Sequence, residues 1–287
     1  MSPLALVRAV HFLSLMAIFG SESLKALFRT VLADPVEDVL PKSLPVWCAS
    51  LALLTAVLWL AIVSAQLSGL GLFDLQALAL VSRTTLFGHV AIVRIALLAA
   101  LFLATLTSST RARAALGAAA LVAIALTSHA AAAGDPRYLI LRSSNDALHL
   151  LAAGFWLGAL ALLAPLVFRH RKDLQIILPA LRLFSTAGTI AVAVLVVAGV
   201  LNGYLILFGT HGIWSPAYIG LLAFKIVLAA IMVAFAITNR FHALPAIARG
   251  QADAPNAILV GTFSELAIGV VVVLIVGALG TLAPMAD

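Results

Sequence analysis

Histidine is the residue type in this sequence with the most chemistry to offer. There are seven, and His11, His89, His129, His149 and His211 fall at or near one end of the apolar segments that carry them, or in a loop at that end. Neutral imidazole is the commonest side-chain metal ligand and suits copper, zinc, iron and nickel. Two or three such rings at the mouth of a helix bundle can hold a metal ion. His129 closes one apolar segment and His149 opens the next, across a short link through Gly134-Asp135-Pro136. That pattern is an antiparallel helical hairpin with one histidine on each tip. Packed helix axes lie roughly 8–10 Å apart, a gap two inward imidazoles can span. Trp156 follows His149 by two turns on nearly the same helix face, and Gly158 allows close packing nearby. His11 lies roughly 10 Å below the start of the first segment. Two other readings stay open: histidines at helix ends satisfied by water or carbonyls, and a haem held between paired rings. His170 and His242 sit among basic residues and read as solvated.

Four charges, Glu22, Arg94, Lys225 and Glu265, interrupt apolar stretches. Charges at membrane depth face a bundle interior or water. Counted from the ends of their segments, Lys225 and Glu265 differ in depth by only ~6 Å, which predicts a structural ion pair. Glu22 reads as the end of its span, pairing with Lys25. It also shares a helix face with His11, the arrangement a cation path would use. The single cysteine, Cys48, excludes an internal disulfide and a Cys-x-x-Cys site. No phosphate-binding loop or phosphorylation motif is present, and the four methionines form no ladder. An ATP-driven pump is not encoded here, and no enzyme is expected.

The elements that must position these groups follow from composition. Of 287 residues, 64% are hydrophobic and 10% charged, against about 25% charged in a soluble domain. Such a chain cannot coat itself for water. The fold class expected is an all-α integral membrane protein, a bundle of about eight transmembrane helices. Spans read near 4–28, 44–65, 88–109, 114–132, 147–168, 184–209, 217–238 and 257–282, broken by turn signals such as Asp34-Pro35, Ser215-Pro216 and Asp253-Ala254-Pro255. The first span reads as a retained helix and not a cleaved signal. Eleven of the 17 basic residues (Lys25, Arg29, Lys42, Arg111, Arg113, Arg169, Arg171, Lys172, Arg182, Arg240 and Arg249) fall on one side, and Arg8, Arg83, Arg137 and Arg142 on the other. The positive-inside rule then places both termini in the periplasm. It also explains the net charge of +6 without any nucleic acid.

The segments Thr127-Ser128-His129-Ala130-Ala131-Ala132 and Asp146-Ala147-Leu148-His149, continuing through Trp156-Leu157-Gly158 to Leu160, resemble the signature of the CopD family of bacterial copper resistance and copper uptake membrane proteins. Phe184-Ser185, Gly199-Val200, the run from Tyr218 through Lys225 to Asn239-Arg240, and Pro245 extend the likeness. It covers roughly residues 85–282 and is looser over the first two spans. A division into 1–84 and 85–287 is expected, within one structural unit. The resemblance implies a multi-pass bacterial inner-membrane protein that takes copper at its periplasmic face and transports it, inward. It often works beside a periplasmic CopC-like copper-binding partner. By that likeness His129 and His149 are copper ligands, with Trp156 and Gly158 shaping the site. His11 and His89 join the candidate metal ligands by depth alone. The rival readings are a haem- or copper-dependent membrane redox protein and a copper-delivery factor that does not transport.

Overall fold

The computed structural model describes residues 1–31, 39–107, 109–127, 136–209 and 214–283. Every regular element among them is helical: α1 (Pro3–Val31), α2 (Leu44–Ser68), α3 (Leu75–Thr84), α4 (Leu86–Thr105), α5 (Thr110–Ala125), α6 (Pro136–His170), α7 (Leu174–Gly209), α8 (Pro216–Thr238), α9 (Leu244–Ala248) and α10 (Ala254–Leu279). A π-helical turn, Asn239–Ala243, joins α8 to α9, so the segment expected to stop at residue 238 continues to Ala248. Local chemistry sets the breaks. Gly69, at φ 72°, ends α2 in the left-handed region that favours glycine. Asp74 opens α3 by accepting from the backbone N–H groups of Gln76 and Ala77, each at 2.9 Å. Thr85 caps α4 through the N–H of Gly88 at 2.9 Å. Both caps satisfy donors that have no partner inside their helix.

Helix α1 is the axis of the bundle, with α2, α5, α6 and α10 packed on it. It crosses α6 backbone to backbone. A Cβ on Gly158 would run into the Met16 carbonyl and lie 2.8 Å from the Cα of Gly20. Phe12 clusters with Leu150 and Leu151, while Leu24 and Phe28 cluster with Leu162 and Leu166. Helices α1 and α6 therefore run parallel. Gly117 lies against Phe19, and Arg113 bonds Glu22, so α5 runs antiparallel to both. Gly277 meets Ala5 and Ala9, and Gly280 meets Arg8. The start of α1 and the end of α10 thus share one end of the bundle.

Among the described residues, seven helical runs, counting α8 through α9 as one, are long and apolar enough to cross a membrane. Helix α5, with 16 residues, rises about 24 Å. Seven passes would leave the two ends on opposite sides. Their meeting makes α5 the eighth pass. Outward faces carry large apolar side chains, among them Ile190, Val197 and Val200 on α7 and Phe224, Ile226 and Val227 on α8. Such faces belong in lipid.

Candidate metal centre

His149 lies on α6 and faces α7. A Cβ on Gly199 would sit 3.5 Å from its Cε1, and the Leu195 carbonyl is a polar neighbour. Its Nδ1 is buried and has no hydrogen-bond partner. A polar ladder on the turns before it holds α6 to α7. The Asn145 amide donates to the Ala198 carbonyl at 2.9 Å and to Asn202 Oδ1 at 2.6 Å. Arg142 Nη2 donates to the Leu205 carbonyl at 2.9 Å. Asp146 is the acid that acts on Lys225 of α8, and Lys225 in turn is the charge that acts on His149. The ring is therefore packed against α7 near the Leu195 carbonyl, and Lys225 is a charge acting on it.

His11 has the same electronic character in another part of the bundle. It is 0% exposed. Its Nδ1 lies 3.0 Å from both the Ala52 carbonyl and Thr55 Oγ1 on α2. A carbonyl can only accept, so Nδ1 carries the proton and Nε2 the lone pair. That Nε2 is buried and unpartnered. A ring N–H fixed on a backbone carbonyl is the usual support of a ligating imidazole. The structure does not bring these two rings together: His11 turns to α2 and His149 to α7. His89 is exposed on the first turn of α4. His129 and His211 lie outside the described residues, and with them the pairing expected of His129 and His149. His149 itself is not at a helix tip as expected, because α6 begins at Pro136, thirteen residues earlier. Among the described residues no three His, Cys, Asp or Glu side chains are grouped to hold a metal ion.

The intramembrane carboxylates are engaged, one as expected and one not. Glu22, 0% exposed, accepts from Lys25 Nζ at 2.9 Å and from Arg113 Nε at 2.6 Å. The Lys25 pairing was legible in the sequence. Arg113 was assigned to the basic loop signal, and its second role was missed. Glu265 does not pair with Lys225. Its Oε1 accepts from Asn239 Nδ2 at 2.8 Å and its Oε2 from Trp156 Nε1 at 3.2 Å. The antiparallel register of α8 on α10 explains the difference. Asn239 is level with Gly261 and Glu265, Met232 with Gly269, and Tyr218 with Leu279. Lys225 stands fourteen residues from Asn239, about 21 Å further along the helix. Trp156 therefore binds a carboxylate, and Gly158 serves the crossing with α1.

The fold and these groups define a class: a multi-pass α-helical membrane protein whose polar chemistry is buried between helices. Residues 1–139 match the family model described as copper resistance protein D-like, N-terminal domain, and residues 178–279 match the one described as copper resistance protein D. Both matched models carry the name copper resistance protein D, and together they take in most of the chain. It is 37% identical over 153 residues to copper resistance protein D of Pseudomonas syringae pv. tomato, covering 49% of each chain. It is 34% identical over 146 residues to inner membrane protein YebZ of Escherichia coli, covering 50% of each. Copper transport protein CutJ of Bacillus subtilis is 32% identical over 114 residues, 37% of this chain and 20% of that one. The chain thus matches about half the length of the first two relatives. No solved structure matches. This is a multi-pass inner-membrane protein.

Proposed function

We propose that the protein takes copper at its periplasmic face and carries it inward across the inner membrane, as a carrier and not as an enzyme. His129 and His149 form the heart of the entry site. The observation that supports this most is the Nδ1 of His149, buried without a partner on a ring that the α6–α7 ladder fixes. Copper binds through an imidazole lone pair, which a neutral ring here offers from the nitrogen that does not carry the proton. Asp146 offsets the charge of Lys225 beside it, which lowers the cost of bringing a cation there. The basic residues on the opposite end of the bundle support a periplasmic position for this end. The relatives named for copper resistance and copper transport support the cargo. A CopC-like periplasmic protein is the proposed donor. Because α1 packs on both α6 and α10, residues 1–84 and 85–287 act as one unit.

Copper uptake into proteoliposomes tests the reading. His149→Ala should abolish uptake and most copper binding, while His170→Ala, at the other end of α6, should leave both unchanged. Binding without uptake in the unaltered protein would instead make it a delivery factor, and a Soret band in the purified protein would make it a haem protein. Full copper stoichiometry and affinity in both His129→Ala and His149→Ala would move the site elsewhere.

A further inference from the structure

A second group of polar side chains has no part in that reading. Arg94 of α4 is 0% exposed, yet its Nε, Nη1 and Nη2 have no hydrogen-bond partner. Arg8 of α1 is half-buried, and its Nε is buried and equally unpartnered. Both cations lie on one indole. The Cζ atoms of Arg8 and Arg94 are 4.7 and 4.4 Å from the Trp59 ring centroid, so they are within about 9 Å of each other. His11 meets the same indole edge-on at 5.7 Å between centroids. Gly280 of α10 leaves the space that the Arg8 guanidinium occupies, since a Cβ there would overlap it. Helices α1, α2 and α4 therefore converge on Trp59, and the end of α10 packs on Arg8. Counting from their nearer ends, Arg8, His11, Trp59 and Arg94 lie ~8–14 Å into the bundle, at the end where α1 starts.

We propose that Arg8, Arg94 and His11, grouped around Trp59 between α1, α2, α4 and α10, form a binding site for an oxyanion, a phosphate or carboxylate group, separate from the copper site at His149. Buried arginines are nearly always paired, and among the described residues neither of these makes an ion pair. Two like charges held this close at low dielectric need a counter-charge. Contact with an indole face leaves the guanidinium N–H donors unspent, and a guanidinium fork matches a phosphate or carboxylate in a way no single point charge does. The free Nε2 of His11 adds an acceptor, suited to the hydroxyl of a singly protonated phosphate. A bare cation is disfavoured, because Arg94 and Arg8 are the charges acting on His11. The oxyanion has two possible sources: a free ion, or the headgroup of an anionic lipid entering between the helices.

Thermal unfolding of the full chain separates them. In detergent at constant chloride, low-millimolar inorganic phosphate should raise the Tm of the unaltered protein by several degrees and leave Arg94→Met unmoved. If the source is lipid, phosphate has no effect, but nanodiscs containing phosphatidylglycerol should stabilise the unaltered protein over pure phosphatidylcholine, again without effect on Arg94→Met. His149→Ala should keep the full response, which separates this site from the copper site. Should Arg94→Met fail to fold, Arg94→Lys keeps the charge without the fork, and its Tm shift should fall below half that of the unaltered protein. Equal shifts in the unaltered protein and the Arg94 variant, or no shift from either source, overturn the proposal.

Discussion

At the scale of single residues, the buried carboxylates are a guide to what each charge does. Glu22 is fully buried between Lys25 and Arg113, and removing one partner from a buried pair costs on the order of 3–5 kcal/mol. Arg113→Gln should therefore lower the Tm sharply, and Glu22→Gln added to it should recover part of the loss. Strict additivity, read by unfolding in detergent, would contradict the pairing. A second cycle tests the α8 register. Lys225→Met and Glu265→Gln should add within about 0.5 kcal/mol, as independent sites do, while Lys225→Met and Asp146→Asn should couple. The sequence announced that Lys225 and Glu265 must face protein and not lipid. It could not say what they face, because depth was counted from span ends and the helix of Lys225 continues ten residues beyond the expected one. His149 and Trp156 were singled out by motif. Arg8 and Arg94 were visible as charges, but their meeting on Trp59 depends on helix rotation, which apolar length does not encode.

At the scale of helices, the α1–α6 crossing depends on the absence of side chains. A Cβ on Gly158 would strike the α1 backbone. Overpacking of that kind costs about 1–3 kcal/mol, and more where backbone blocks relief. Gly158→Ala should lower the Tm and loosen the bundle. Gly188→Ala is the control: its Cβ would meet only the Phe184 ring at 3.5 Å, an ordinary contact, and helix propensity favours it by up to about 1 kcal/mol. The variant should be neutral or slightly stabilised. Spans were legible here because lipid demands long apolar runs whatever their partners. The two features that escaped were short and irregular. Helix α3 is a ten-residue amphipathic segment, and the π turn at Asn239–Ala243 interrupts nothing in the hydropathy. Yet that turn begins at the residue whose amide holds Glu265.

At the scale of the whole molecule, α1 starts where α10 finishes, so the start of α1 and the end of α10 share a side of the membrane. A cytoplasm-only reporter should be silent when fused to the C-terminus and active when inserted in the 250–253 loop. The reverse would invert the bundle and place His149 on the cytoplasmic side.

The central position of α1 also has a consequence for biogenesis. Helix α1 is made before α2, α5, α6 and α10, all of which pack on it. Its contacts with α10, at Ala5, Arg8 and Ala9, cannot form until that helix is made. Membrane insertion can proceed helix by helix, but closure of the bundle must wait until α10 has been made. Until then α1 keeps an incomplete flank, and Glu265, the carboxylate that Trp156 and Asn239 await, has not yet been synthesised. Nascent chains truncated before Ala254 should insert normally and then be degraded quickly in a pulse-chase experiment. Co-expressing residues 254–287 as a separate helix should extend their lifetime.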